Sequence, residues 1–527
     1  VTTLQEGAII EGRSLDAGFD EVADVVIVGS GSGGAVVAQI LAEAGQRVVV
    51  LEEGPYYEPS TYQRFTPSQS VRRLFREAGM VTALGVGQTP IISLLMGRAV
   101  GGSSLLTGAV CFRIPSEVHH EWTHELGLDE LSERRLDEAY RSVEERAHVR
   151  EVPREMRSRS TELFVEGAER MGLTIKPTRR NTGHECEGNG RCNFTCPAGA
   201  KRSVDVAYLP DALAHGARIY SDALVDTLLI EGGRAAGVSG RLLGGPHGSP
   251  GHAFRVRAKV VVSACGTVHT PLLLGRAGVG RESRVLGDKI TLHPAARVVA
   301  RFDERVNGWD GALQSVYCDD FDREGIKFVG VYTAANVLAA GFPGVGPALR
   351  KRAAALPYCA AMGGMVHDEG GGRVRPGVGR EPVLSYEMAS RDLARLRKAI
   401  RVLCEMAFAA GAREVFPPIF GVPPLTRVDE ARKLEHARFD ARRIECMAFH
   451  PLGSARVAND PRRGVVDQSG EAWELPGLFV ADGSILPTSI GVNSQVPIMA
   501  MATRIAWRLA ERLQRTSARR VAALSHA

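Results

Sequence analysis

Three groups of residues in this chain have the types and spacing to do chemistry. The first is Gly29-Ser30-Gly31-Ser32-Gly33-Gly34, which satisfies GxGxxG between the apolar run DVVIVG and the helical stretch AVVAQILAEAG. There Gly29 permits the tight turn, Gly31 lets backbone approach a pyrophosphate, and Gly34 lets helix and strand pack closely. The helix N-terminus behind them offers unpaired amides to an anion. Glu52 follows Gly29 by 23 residues and ends the β-rich run RVVVLEEG, where a carboxylate can take ribose hydroxyls. The spacing suits FAD and NAD alike, because both carry an adenosine diphosphate; a glycine turn without a ligand is the plain alternative.

The second group is His450, in HPLGSAR, with Asn493, 43 residues later in ADGSILPTSIGVNSQVPIMA. An imidazole can accept a proton from a substrate, and a satisfied core histidine is its alternative. The third is Cys186, Cys192 and Cys196, spaced C-x5-C-x3-C-P in CEGNGRCNFTCPAGAKRS. Thiolates clustered in a glycine-rich loop suit a metal, and the Cys-Pro ending is similar to iron–sulfur loops. His184, two residues before Cys186, would complete a Cys3His zinc site. Free thiols in an ordered loop are the third reading. Cys111, Cys265 and Cys404 stand singly in apolar stretches and read as core residues.

A second small-residue loop, Gly97-Arg98-Ala99-Val100-Gly101-Gly102-Ser103-Ser104, and the central SACGTVHTPLLLGRAGVG complete a pattern with the two C-terminal segments. Over nearly the whole chain this pattern resembles the glucose-methanol-choline (GMC) family of FAD-dependent oxidoreductases. The resemblance implies FAD, bound non-covalently, with Gly97, Arg98, Gly101, Gly102 and Ser103 at the cofactor. Asp482 and Gly483, in FVADGSILP, would lie at its ribityl or phosphate region, and Val225 would offer its backbone to the adenine. The backbone of Val492, Asn493 and Ser494 would lie under the isoalloxazine, with a helix from Pro497 aimed at its pyrimidine edge. His450 would act as general base while hydride leaves the alcohol carbon, and Asn493 would hold the substrate oxygen.

The cysteine loop resembles that of bacterial FAD-dependent glucose and gluconate dehydrogenases, in which three cysteines hold a [3Fe-4S] cluster. That likeness implies electron transfer through the cluster to a cytochrome, a quinone or a small partner subunit. Without a cluster the implied enzyme is an oxygen-using alcohol or sterol oxidase; an FAD-dependent lyase and a flavoprotein that only relays electrons are alternatives of other classes. GRAVGGSSLLTGAVCFRIP and AKRSVDVAYLPDAL resemble the long-chain alcohol and sterol branch. Thr107 stands where many members have Asn, and Ala277 where many have Ser. The implied substrate is a small hydroxyl-bearing molecule.

The elements that must position these residues start with a strand, glycine turn, helix and strand, a βαβ unit buried on both faces. Helical spacing of Leu393, Leu396, Ile400, Leu403 and Ala407 predicts a helix over 390–411, capped by Ser390 and ended by Gly411. A charged helix is expected over 132–146 and a loop over 179–201, and GRVRPGVGREPVLSYEM reads as two strands joined by a turn. The expected fold is α/β. A discontinuous Rossmann-like FAD-binding domain takes residues 20–113, 204–300 and 446–527, and a cysteine-loop or cap region takes 114–203. A substrate domain, a mostly antiparallel sheet flanked by helices, takes 301–445.

Composition agrees with several globular domains: 527 residues, 44% hydrophobic and 24% charged. Its 59 glycines point to many tight turns. The balance of 65 basic against 60 acidic residues, with no basic run interleaved with aromatics, argues against nucleic acid. Aromatics at 6% offer no obvious stacking platform for sugars. Residues 25–42 carry no charge, but four glycines, two serines and a glutamine argue against a transmembrane segment. Nine cysteines and no basic-then-apolar leader favour the cytoplasm, with export on a signal-bearing partner left open.

Overall fold

The apolar run before the glycine turn forms the strand Phe19–Val28, whose last residues are buried on both faces. Helix Ser32–Glu43 follows, and the chain turns at Gly45, with φ +79°, into strand Val48–Leu51, parallel to the first with Val25 opposite Val48. This is the expected βαβ unit. The computed structural model describes residues 7–244, 249–332, 334–340, 342, 344–379 and 381–524. In it the unit belongs to an eight-stranded sheet. Strand Ser249–Ser263 lies beside Phe19–Val28, and its last three residues pair in parallel with Leu478–Val480. Arg234–Gly244 and Ala223–Glu231 extend that side antiparallel, while Arg218–Ser221 and Ala8–Glu11 extend the other in parallel. Helix Gln495–Leu524 packs on helix Ser32–Glu43, so both ends of the chain build one layer.

A second sheet has twelve strands, antiparallel except where Val383–Glu387 meets Thr82–Gly85 and where Cys446–Ala448 meets Ile92–Leu94. Its centre is Ala295–Arg301, Cys359–Val366 and Ile326–Val331. Helices Ser390–Ala409 and Arg159–Arg170 cover one face, burying Leu396, Ile400 and Leu403 with Phe328 and Met362. The α/β class holds, with a mostly antiparallel second sheet flanked by helices.

Several elements differ from expectation in detail. Ser390 is the first helical residue and not the cap; Ala389 precedes it, and the Asp392 carboxylate accepts the Ala389 N–H at 3.1 Å. Gly411, with φ +98°, lies just beyond the helix end. The charged helix is Glu133–Arg146. Residues 179–201 are only partly loop, since they hold strand Arg179–Asn181 and the 3-10 turn Cys192–Phe194. The expected hairpin is Gly371–Arg375 with Val383–Glu387, of which Arg380 lies outside the described residues, as do residues 525–527 of the C-terminal segment. Strands Thr82–Gly85, Ile92–Leu94, Asp288–Ile290, Ala295–Arg301 and Cys446–Ala448 hydrogen-bond into the second sheet, although all but Arg301 lie in segments expected in the FAD-binding domain. Among the described residues no helix is long and apolar enough to cross a membrane.

Helix Ser32–Glu43 meets the chain's C-terminal part without space for a side chain. A Cβ on Gly33 would lie 1.6 Å from the Ala481 carbonyl oxygen, whereas one on Gly31 would meet only the Gly102 Cα at 3.9 Å. Overpacking against backbone costs about 1–3 kcal/mol or more. Gly33→Ala is therefore expected to lose about 3 kcal/mol in urea unfolding of the cofactor-free protein, with Gly31→Ala close to the parent; equal midpoints for the two would refute this packing.

Candidate active site

The parallel strands of the first sheet all end on one side, and the loops leaving them line a cavity of about 1150 Å³ whose opposite wall is the uncovered face of the second sheet. Ligands in open α/β sheets sit at such carboxyl ends. Of the residues singled out from the sequence, Gly29, Gly31, Glu52, Gly97, Gly102 and Ser103 line this cavity. So do Val225, His450, Asp482, Gly483, Asn493 and Ser494. Four expected residues lie behind the wall. Gly34 packs helix on strand, since a Cβ there would be 1.9 Å from the Gly29 carbonyl oxygen. Arg98 Nε lies 3.1 Å from Glu53, Gly101 donates its N–H to Ser30 Oγ at 3.0 Å, and Val492 is buried.

The two glycine loops touch: a Cβ on Gly102 would come within 2.8 Å of the Gly31 Cα. Helix Ser32–Glu43 begins there with no side-chain cap and no acid in its first turn, so its leading amides are open to an anion. Glu52 Oε2 accepts from the Ser30 N–H at 3.0 Å and from Ser30 Oγ at 2.7 Å, and Oε1 accepts from the Gly54 N–H at 2.8 Å. Burial pushes this carboxyl up, against those hydrogen bonds. Of about four acceptor positions on a carboxylate, three are used inside the protein. Asp482 is likewise committed, accepting from the Gly266 N–H at 2.9 Å, the Thr270 hydroxyl at 2.5 Å and the Ser484 N–H at 2.8 Å. It ties the loops after two neighbouring strands together at the cavity edge.

On the opposite side His450 Nε2 lies 3.1 Å from Asn493 Nδ2. With the amide donating, Nε2 carries a lone pair and the ring proton sits on Nδ1, which is buried without a partner. Burial, helped by neighbouring His293, lowers the His450 pKa to about 3. The imidazole lines the cavity and is neutral at ordinary pH. His293, fully buried with its ring centre 5.5 Å away, accepts the N–H groups of Ile490 and Gly491 on Nε2, each at 3.1 Å.

A family model described as GMC oxidoreductase matches residues 23–295, and its C-terminal counterpart matches residues 376–502. The chain belongs to the GMC oxidoreductase family. An uncharacterised GMC-type oxidoreductase of Mycobacterium tuberculosis is 39% identical over 92% of this chain and 75% of its own length. A long-chain-alcohol oxidase of Arabidopsis thaliana is 27% identical over 94% of this chain and 69% of its own. The solved pyridoxine 4-oxidase of Mesorbium loti superposes with a TM-score of 0.69 at 18% identity, covering 92% of this chain and 98% of that one, a likeness of fold. This GMC oxidoreductase is an FAD-dependent enzyme, and its cavity fits that cofactor: it exceeds the usual ~300–1,000 Å³ of small-ligand sites. It also holds a side-chain-free cradle at Gly31, and Gln495 Oε1, buried without a partner in a residue of the wall, offers a spare acceptor.

The cysteine loop does not fit a metal. Among the described residues no group of three His, Cys, Asp or Glu side chains could hold one, and the nine cysteines are free. Cys192 Sγ instead accepts a hydrogen bond from Arg180 at 2.8 Å, and the buried Lys201 ammonium binds the Cys192 and Thr107 carbonyls at 2.8 and 3.2 Å, besides that of Leu105. His184 turns to Arg150. Among the described residues the expected cluster on Cys186, Cys192 and Cys196, and the zinc alternative, therefore find no support, because these side chains are not gathered as a ligand set. Cys111 and Cys404 are buried as expected, but Cys265 lines the cavity, its thiol pushed up to about 12 by burial. Thr107 stands in the cavity wall and Ala277 does not.

Sequence reasoning missed Ser30, Gly33, His293 and Gln495. A signal for His293 existed, since a His-Pro pair occurs at 293–294 as well as at 450–451. Burial, reinforced by His367, lowers the His293 pKa to about 3, so the unfolded chain binds its proton first as pH falls. Stability from this group is intact above about pH 6.5 and is lost as pH drops toward 3, by about 1.4 kcal/mol per pH unit. Denaturant unfolding between pH 7 and 5 should show this limb, and His293→Gln should flatten it by about one proton; an unchanged slope would assign the acid limb elsewhere.

Proposed function

We propose that this GMC oxidoreductase oxidises the CH–OH group of a small alcohol. The observation that carries the reading is the neutral His450 with Nε2 turned to Asn493 at 3.1 Å in the wall of the cofactor-sized cavity. In this reading the Gly29–Gly31–Gly34 turn and the helix N-terminus receive the pyrophosphate, and the remaining acceptor position of Glu52 receives ribose. The Val225 backbone meets the adenine, and Gly97, Gly102, Ser103, Gly483 and Ser494 border the flavin, with Arg98, Gly101 and Val492 shaping that border from behind. The first sheet is then the FAD-binding unit and the second the substrate-binding unit. Bound FAD supplies a two-electron acceptor for hydride.

An alcohol is far too weak an acid for a neutral imidazole to deprotonate outright. As the C–H bond breaks, however, the hydroxyl oxygen turns into that of a protonated carbonyl, a strong acid, so even a base held low by burial accepts its proton. The C–H and O–H bonds would break and the second C–O bond form, with His450 Nε2 taking the proton and bound FAD, as the two-electron acceptor, taking the hydride. The substrate hydroxyl would replace the Asn493 amide on His450 Nε2, and Asn493 Nδ2 would then donate to the reacting oxygen and fix its place. The relatives named long-chain-alcohol oxidase support dioxygen as the final electron acceptor.

His450→Ala should lower the rate of anaerobic FAD reduction by a primary alcohol about 10²- to 10⁴-fold at unchanged FAD content. An unchanged rate would make His450 structural, and failure of any alcohol to reduce the FAD would favour a lyase. In air, one peroxide per aldehyde is expected; turnover with a dye but without peroxide would replace dioxygen by another acceptor.

A further inference from the structure

Beyond the reacting end, the cavity wall is the second sheet. Arg297 lies on strand Ala295–Arg301 and lines the cavity. Ala295, one side-chain repeat of about 7 Å away, stands opposite Met447, three residues before His450. Arg297 therefore shares a wall with the proposed base, displaced along the strand from it. Its side chain is 15% exposed, its nearest charge is Glu445 at 3.8 Å, and its Nε is buried without a hydrogen-bond partner.

The other cations of the cavity wall are committed. Lys327 Nζ binds both oxygens of Asp322, at 2.9 and 2.6 Å. Arg76 binds Glu53 and Glu381, Arg241 binds both oxygens of Asp226, and Arg276 binds the Asp226 carbonyl. The Arg297 side chain alone among them makes no hydrogen bond within the described residues. Tyr332, 6% exposed and just beyond the end of strand Ile326–Val331, lines the same cavity with its hydroxyl also unpartnered, and it lies within electrostatic reach of the Arg297 guanidinium. A buried guanidinium with five N–H donors and a single carboxylate beyond hydrogen-bond distance is poorly compensated. Burial accordingly lowers its pKa, against the pull of Glu445. Both orphaned groups can donate, so what they lack is an acceptor, and the fork of a guanidinium matches two oxygens on one carbon.

We propose that Arg297 and the Tyr332 hydroxyl bind a carboxylate at the far end of the substrate, making the oxidised alcohol a hydroxy acid. This rests on the alcohol-oxidation reading of the same cavity. The reaction is otherwise unchanged: the hydroxy acid gives hydride to FAD and its hydroxyl proton to His450, leaving an oxo acid.

The test uses the FAD-loaded enzyme with three homologous series, ω-hydroxycarboxylates, α,ω-diols and primary alkanols of four to ten carbons. Charge-assisted hydrogen bonds contribute about 1.5–3 kcal/mol, so at the best chain length kcat/KM for the hydroxy acid should exceed that for the alkanol by about tenfold or more, chiefly through KM. Arg297→Met should bring this ratio near one, and Arg297→Lys should keep part of it. Equilibrium dialysis with hexanoate and decanoate gives a readout free of turnover, with binding weakened about tenfold in Arg297→Met. Alkanols or diols matching the hydroxy acids in the parent enzyme, or an Arg297→Met ratio equal to the parent's, would overturn the proposal while leaving alcohol oxidation standing. If no series reduces FAD, alcohol oxidation itself falls, and the dialysis still decides the carboxylate site.

Discussion

The site depends on three parallel strands ending side by side. Val26–Val28, Val261–Ser263 and Leu478–Val480 lie in adjacent register, with Val262 opposite both Ile27 and Phe479. Each strand then releases a loop into the same space, although their sequence positions are more than two hundred residues apart. The close approaches follow from that register. Gly29 lies on the Ala264 carbonyl, Gly33 lies on that of Ala481, and Asp482 collects donors from Gly266 and Thr270. A side chain at either glycine, or a one-residue slip of the last strand, would move His450 and Asn493 relative to the glycine cradle.

The chemistry at the other wall is set by dryness more than by charge. His293 and His450 are neutral because burial disfavours the imidazolium, and because a charge on His450 would be repelled by His293 and one on His293 by His367. The carboxylate nearest this pair, Asp368, is saturated, accepting the Leu292 and His293 amides and the Ser489 and Tyr386 hydroxyls. It therefore fixes the backbone on both sides of the pair and makes no direct hydrogen bond to either imidazole. His293 Nε2, in turn, holds the amides two and three residues before Asn493. The lone pair on His450 is thus presented by a chain of backbone contacts rather than by a partner acid, and that arrangement suits a base whose proton becomes acidic only as hydride leaves.

How much of this was legible in the sequence follows from the range of the interactions. The βαβ unit and the glycine turn are local: apolar run, small residues, helix and acid fall within 30 residues, and all appeared as read. His450 and Asn493 were legible through motif likeness, and the structure brings them together. Their supports were not, because His293 acts across 197 residues and Arg297 faces a residue 148 positions away, through strand register that no local pattern encodes. The cysteines show the reverse error. Their spacing is dense enough to suggest a metal, but the fold does not gather three of them as ligands, and Cys192 instead meets Arg180 while its carbonyl meets Lys201.

Lys201 shows what that loop does instead. A fully buried ammonium is costly unless its donors are satisfied, and burial brings its pKa down to about 8. Its three contacts join the 3-10 turn Gly102–Leu106, the residue after it and the cysteine segment, while Asn193 Nδ2 adds a bond to the Leu106 carbonyl at 3.1 Å. The turn so held contains Gly102, which touches Gly31, and Ser103, which lines the cavity. The cysteine segment thereby acts as a brace behind the second glycine loop. The cavity gains a rigid edge at the place where the first sheet's cradle gives way to the second sheet's substrate wall.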